Sequence, residues 1–269
     1  LEGRIERRPK MLELKSIDKS FNIGTVNETV LFDDFNLKIN KGEFVSIIGS
    51  NGSGKSTMLN LICGSLMPDN GEICVDGKNL NKIPEHKRYK LMGRVFQDPK
   101  VGTSPSMTLL ENMSMADNKG KSWNLTRGIN KKKIDEYREM LRPIGLGLED
   151  KLYDKVGSLS GGQRQSVALL MATLVPIEFL ILDEHTAALD PKTADIVMEM
   201  TNKVVREKKL TALMVTHNLK YSLQYGDRML MMHKGHAVMD KSGEEKKNTN
   251  LDDILDKFYE ISIESGNSL

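Results

Sequence analysis

The sequence predicts an α/β protein built on a mostly parallel sheet, with an antiparallel β subdomain near the amino terminus and a small helical subdomain. Three observations predict it. Apolar runs such as "EFVSII" (43–48), "FLILD" (179–183) and "LTALMVTH" (210–217) alternate with helix-length stretches, the rhythm of parallel strands covered by helices. Ahead of residue 40, two β-type runs follow each other with no helical pattern between them. From about 98 to 158 the chain is polar and helix-prone, broken by Gly and Pro, with no strong strand signal.

The elements follow in order. Residues 1–10, "LEGRIERRPK", are charged and lack an apolar core, so they read as a cloning remnant ahead of a native start at Met11 and not as a secretory leader. "MLELKSI" and "TVLFDDFNLKI" are the antiparallel strands; "EFVSII" is a buried strand, and "KSTMLNLICGSL" is a helix ending near Pro68. "GEICVDGKNL" reads as a hairpin turning at Asp76-Gly77, and "GRVFQD" as a short strand. Beyond the insert come helices at about 163–174, 191–207 and 218–225, each but the last followed by a strand, then a hairpin in "RMLMMHKGHAVMD" turning at Lys234-Gly235. The tail carries a short amphipathic helix with Leu251, Ile254, Leu255 and Phe258 on one face, expected to pack on its own domain. Residues 11–269 thus read as a single domain, with a helical subdomain of about 98–165 inserted in its core.

Composition excludes several classes. A chain of 269 residues is long enough to bury a substantial core, and a net charge of +2 provides no basic field for nucleic acid or an anionic membrane. The basic runs at 85–90 and 130–133 read as solvated surface. Cys63 and Cys74 fit buried core positions and suggest neither a disulfide framework nor a metal site, which favours a reducing compartment. The most apolar window, 167–182, is interrupted by Pro176 and Glu178 and is too short to span a bilayer. The sixteen Met are spread through apolar patterns as core filling.

"GSNGSGKST" (49–57) follows a strand and opens a helix, and Gly49, Gly54, Lys55 and Ser56 fit G-x-x-x-x-G-K-[ST] at full spacing. Glycines let bare N–H groups approach phosphate oxygens, and the helix adds its partly positive amino end. Ser50, Asn51, Gly52, Ser53 and Thr57 complete the cradle, Lys55 reaches the β and γ phosphates, and the Ser56 hydroxyl suits Mg²⁺. ATP and Mg²⁺ are the implied ligands of this P-loop NTPase core.

"FLILDE" delivers Asp183 and Glu184 at the carboxyl end of a strand, where open α/β sheets place their ligands. Asp183 can hold Mg²⁺ through water, and Glu184 can act on the attacking water; alone, the same pair is as readily a solvated strand end. Kinases, GTPases and helicases share both motifs. "SLSGGQRQSVALLMA" (158–172) separates them: Ser160 suits a helix cap, and Gly161 and Gly162 leave the first N–H groups of that helix uncovered. A second anion-attracting helix end is redundant for one phosphate, but it suits the phosphate of a second copy in a symmetric dimer.

These motifs, with Gln97 after "RVF", "LSGGQ" at 159–163, "ALD" at 188–190 and His217 after "TALMVT", occur in one order over about Met11 to Leu255, and the chain resembles the nucleotide-binding subunit of an ATP-binding cassette (ABC) transporter. The resemblance implies an ATPase that dimerises head to tail, each ATP lying between one copy's phosphate loop and the other's Ser160, Gly161, Gly162 and Gln163. It implies that Glu184, with Lys55 and His217, carries out hydrolysis, and that Gln97 senses Mg²⁺. It further implies that Asp190 communicates across the dimer and that Phe21 stacks on adenine. Without the family, His217 is as readily a capping residue, and Phe21 a plain strand residue before a long "NIGTVNET" loop. His185 stands where the family commonly has Pro, either touching the site or replacing a rigid turn, and "QSVALLMA" departs from the usual Arg- and Ala-rich continuation.

The resemblance further implies a subunit lying on the inner face of the cell membrane against separate permeases, and indirectly served by a substrate-binding protein, with no nucleic-acid partner. Bacterial importers are the nearer type; "DEHTAALDPKTA" is similar to a subgroup found with amino-acid uptake systems, some associated with tryptophan or tyrosine. The alternative is a soluble superfamily ATPase acting on ribosomes or DNA. One cassette in the chain disfavours the first, and about 105 residues between Lys55 and Ser160 leave no room for the coiled-coil arms of the second.

Overall fold

The computed structural model describes residues 11–121, 128–129 and 131–264; the remnant expected at 1–10 lies outside them. In chain order the elements are β1 (Leu12–Phe21), β2 (Thr29–Ile39), β3 (Phe44–Gly49), α1 (Lys55–Cys63), β4 (Asn70–Val75), β5 (Lys78–Asn79), α2 (Glu85–Arg88) and β6 (Met92–Val95). Then come α3 (Leu109–Asp117), α4 (Ile134–Leu141), α5 (Gly161–Thr173), β7 (Phe179–Asp183), α6 (Pro191–Glu207) and β8 (Thr211–Val215). The chain continues through α7 (Leu219–Gln224), β9 (Arg228–His233), β10 (His236–Ser242), α8 (Gly243–Asn248) and α9 (Leu251–Glu264).

Two sheets result. A four-stranded sheet, ordered β2-β1-β4-β5, is antiparallel; a six-stranded sheet, ordered β10-β9-β3-β8-β7-β6, is parallel except for the β9–β10 hairpin. The turns form where the sequence places them. Asp76 and Gly77 both have positive φ (48° and 77°), as do Lys234 and Gly235 (44° and 80°), the pairing that a two-residue hairpin turn needs to match strand twist.

Strand β3 is buried along its whole length because it has sheet neighbours on both sides and helices on both faces. One face packs with α1 against the antiparallel sheet, where Met58, Leu61 and Ile62 meet Leu12, Phe32 and Ile181. The other face packs against α5 and α6 through Leu180, Leu182, Leu169 and Met198. This two-sided burial fixes the carboxyl ends of β3, β7 and β8 relative to one another. A third cluster, Leu109, Met113, Tyr137, Leu141 and Leu152, packs on Val167 and Leu170, so α5 belongs to both the core and the helical region before it.

The tail helix α9 packs on Ile48, Met229 and Met231, but through Ile254, Phe258 and Ile261. Leu251 and Leu255, expected on the same face, are exposed. The buried stripe follows i, i+4, i+7, so the seam begins at Ile254 and runs toward the end of the helix.

Candidate active site

The phosphate loop is shaped by close approaches. A Cβ on Gly49 would lie 2.1 Å from the Met232 carbonyl oxygen, and one on Gly54 would lie 2.8 Å from the Phe32 ring; both have positive φ. Gly235 N donates to Ser53 O at 3.0 Å, so the β9–β10 turn braces the loop. Helix α1 starts at Lys55 with no side-chain cap and no acidic residue in its first turn. Its leading N–H groups are therefore available to an anion.

Lys55 is buried, and its Nζ donates to Gly49 O (2.8 Å) and Ser50 O (2.9 Å), arching across the loop. Burial pulls its ammonium below the ordinary lysine range, while the carboxylates of Glu184 and Asp183 oppose the shift. That mutual influence places the Lys55 ammonium and both acids in one electrostatic site. Ser56 is exposed on the first turn of α1.

Asp183 ends β7. Its Oδ2 accepts from Arg94 Nη2 at 2.8 Å, a partner that the sequence reading missed. The only available signal was a charged residue inside a short apolar strand. Glu184 has φ +48°, a left-handed conformation costly for a residue with a Cβ. Its amide donates to Val215 O at 3.0 Å, which pins the turn to the end of β8. The Glu184 Oε1 lies 2.7 Å from His217 Nε2, so the structure brings together the acid after β7 and the histidine after β8.

His185 turns away from this site. It is fully buried, with Nε2 3.1 Å from Thr201 Oγ1 on α6, and burial pushes its pKa down to about 4, so the ring is neutral. Cys63 and Cys74 are buried free thiols.

Ser160 caps α5 as expected. Its Oγ accepts from Gln163 N at 3.2 Å, and Gln163 Oε1 accepts from Ser160 N at 3.0 Å, a reciprocal capping box. The Ser160 hydroxyl proton remains available to an outside acceptor. Gln163 is occupied by this box and by donating to Leu146 O at 2.9 Å, so its side chain fastens the motif internally. A Cβ on Gly162 would lie 1.9 Å from Thr193 Cγ2, and Thr193 N in turn donates to Asp190 Oδ1 at 3.0 Å. Hydrogen bonding from the Thr193 side chain first, and then from its backbone amide, holds the Asp190 carboxyl below the usual carboxylate range. The signature and the start of α6 are thus interlocked.

No hydrogen bond among the described residues joins Ser160, Gly161 or Gly162 to the phosphate loop. Gln97 is exposed just past β6. The nearby Phe96 O accepts from Gln165 Nε2 on α5 at 3.1 Å, which ties that segment to the helical region. Phe21, half-buried at the end of β1, has the Lys19 ammonium 5.7 Å from its ring centroid.

Ser56, Asp183 and Gln97 carry hydroxyl, carboxylate and amide oxygens, the donor types that suit a hard divalent cation. Among the described residues no group of three or more His, Cys, Asp or Glu could hold a metal unaided.

The chain is similar in sequence and fold to known proteins. A family model described as "ABC transporter" matches residues 32–187. The chain is 50% identical over 248 residues to a tyrosine transport ATP-binding protein of Clostridioides difficile (strain R20291), covering 92% of this chain and 98% of that one. It is 33% identical to a spermidine/putrescine import ATP-binding protein of Pasteurella multocida (strain Pm70), covering 91% of this chain and 61% of that longer one. A solved dimeric bacterial ABC transporter cassette superposes with TM-score 0.74 at 30% identity, covering 86% of this chain and 98% of its own. A post-hydrolysis dimer bound to ADP and phosphate superposes with TM-score 0.72 at 30% identity, covering 86% and 98%. A family match over more than half of its length and 50% identity across nearly the whole of a curated relative show that the chain belongs to the ABC transporter family, as one of its ATP-hydrolysing cassettes.

Proposed function

We propose that this cassette powers import of a small solute, an amino acid of the tyrosine or tryptophan kind, through separate permease subunits at the inner face of the membrane. The observation that carries the reading is 50% identity to a tyrosine transport ATP-binding protein across nearly the whole of both chains. Among the described residues, no helix is long and apolar enough to cross a membrane, so the membrane path belongs to other subunits in this reading. A substrate-binding protein would act on the permease and not on this chain.

In this reading the open N–H groups of the phosphate loop and α1 hold the phosphates, Lys55 exchanges its carbonyl partners for phosphate oxygens, and Phe21 stacks on the base. Ser56, Asp183 and Gln97 would hold Mg²⁺, which when bound neutralises phosphate charge. Glu184 orients the attacking water and takes its proton, and His217 fixes the Glu184 carboxylate and faces the γ-phosphate. The Ser160 hydroxyl and the N–H groups of Gly161 and Gly162 complete the site of a second copy, with Asp190 relaying between copies through Thr193. The segment from Gln97 through the helical insert of about 98–165 then transmits the change to the permease.

Affinity capture of the chain from detergent-solubilised native membranes, read by mass spectrometry, tests the assignment. A stoichiometric multi-span partner is expected. Ribosomal or DNA-associated partners without a membrane protein would overturn it.

A further inference from the structure

We propose that Arg94 is a positioning residue for the magnesium-side carboxylate, tying Asp183 to the segment that carries Gln97. The inference rests on the reading of Asp183 as a magnesium-side group.

Strands β6 and β7 run parallel, with Arg94 opposite Ile181. Side chains alternate along a strand, so Asp183, two residues on, lies on the same face as Ile181 and toward the phosphate-loop side of the sheet. The Arg94 Nη2 to Asp183 Oδ2 distance is 2.8 Å, and the two side chains are only 7% and 16% exposed. The Arg94 guanidinium carbon lies 4.7 Å from the Phe96 ring centroid, a cation–π stack one residue before Gln97. One side chain therefore touches the end of β7 and the exit of β6 together.

Stability alone does not account for this arrangement. An ion pair taken out of water is often no better than an apolar pair of the same volume, and it needs its remaining donors satisfied. Arg94 Nε is buried and has no hydrogen-bond partner. An orphaned donor on a buried charge is a net cost to the fold. What the pair does achieve is geometric. Arg94 holds one carboxylate oxygen, Oδ2, while the described residues offer Oδ1 no hydrogen bond. A carboxylate fixed through one oxygen presents the other in a set direction, which is how outer partners tune metal ligands. The positive charge of Arg94 opposes a second cation at the same carboxylate, and the gain in orientation outweighs that repulsion.

The test uses the full chain and a fluorescent ATP analogue, with affinity measured in chelator and then across a magnesium titration. Arg94→Met is expected to raise the magnesium midpoint by about 10- to 100-fold, the usual cost of losing an outer partner. Its metal-free nucleotide affinity should match the wild type, an outcome that a merely misfolded site would not give. Arg94→Lys, which keeps the charge but loses the fork and the stack, should fall between. Asp183→Asn is measured in parallel and should also raise the midpoint. If Asp183→Asn leaves it unmoved, the reading of Asp183 fails. If Asp183→Asn raises it while Arg94→Met leaves it unchanged or lowers it, the Arg94 proposal is overturned. Should Arg94→Met not fold by circular dichroism, Arg94→Lys and Phe96→Leu decide, and unchanged midpoints in both overturn the proposal.

Discussion

His217 Nε2 lies 2.7 Å from Glu184 Oε1, joining the residues that follow two neighbouring parallel strands. The contact depends on Glu184 holding a left-handed backbone conformation, itself pinned by the Glu184 N to Val215 O hydrogen bond. The backbone thus aims the carboxylate at His217. Strain of this kind persists only where surrounding structure over-determines it.

Glu184→Gln keeps the shape and a hydrogen bond to His217 but removes the base. Steady-state phosphate release should fall by about 100-fold or more, while affinity for ATP stays within a few-fold. Phosphate release near the wild-type rate would take Glu184 out of its assigned role.

Lys55→Ala removes the ammonium that bridges Gly49 O and Ser50 O. Its loss should weaken ATP binding itself by about tenfold or more, equivalent to at least one charge-assisted hydrogen bond. Equilibrium titration with a fluorescent analogue reads this directly, and unchanged affinity would remove Lys55 from the phosphate cradle.

The interlock between Gly162 and Thr193 makes a paired prediction. Gly162→Ala places a methyl 1.9 Å from Thr193 Cγ2 and should destabilise the chain by about 1–3 kcal/mol through overpacking. Thr193→Ser deletes the clashing methyl, so the double variant should regain part of that loss in a denaturant titration. Additive losses would mean that the contact is not what constrains Gly162.

Lys119 supplies a pH dependence. Its Nζ donates to Met92 O at 2.8 Å, and burial pushes its pKa down to about 8, against an unfolded value of roughly 10.4. Between these values the unfolded chain binds more protons, so the Lys119 contribution improves as pH rises and is lost as pH falls through about 8. The stability of the wild type relative to Lys119→Met should therefore improve by about 1 kcal/mol from pH 8 to pH 10, after discounting for partial exposure. A difference that is flat with pH would show that Lys119 is not shifted by the fold.

The sequence was legible wherever a residue's role depends on its neighbours in the chain. Gly49 to Thr57 announce a phosphate loop, Ser160 announces a cap, and Asp76-Gly77 and Lys234-Gly235 announce turns, because each is decided by local backbone geometry. Arg94 was not legible, since its partner lies 89 positions away and is set by strand order. The side chain of Gln163 closes the capping box and reaches Leu146 O, a contact that only folding creates. Leu251 and Leu255 fit a helical stripe equally well on paper, and only the position of β9 selects Ile254, Phe258 and Ile261 instead.

In the proposed cycle two copies share each ATP, with Ser160 of one completing the phosphate loop of the other. Sedimentation velocity of Glu184→Gln with ATP, alone and carrying Ser160→Arg, tests it most directly. The expected result is a dimer holding two ATP that forms only with nucleotide and is abolished by the arginine. A chain that binds ATP yet remains monomeric at high protein concentration, or a dimer indifferent to Ser160→Arg, would contradict it.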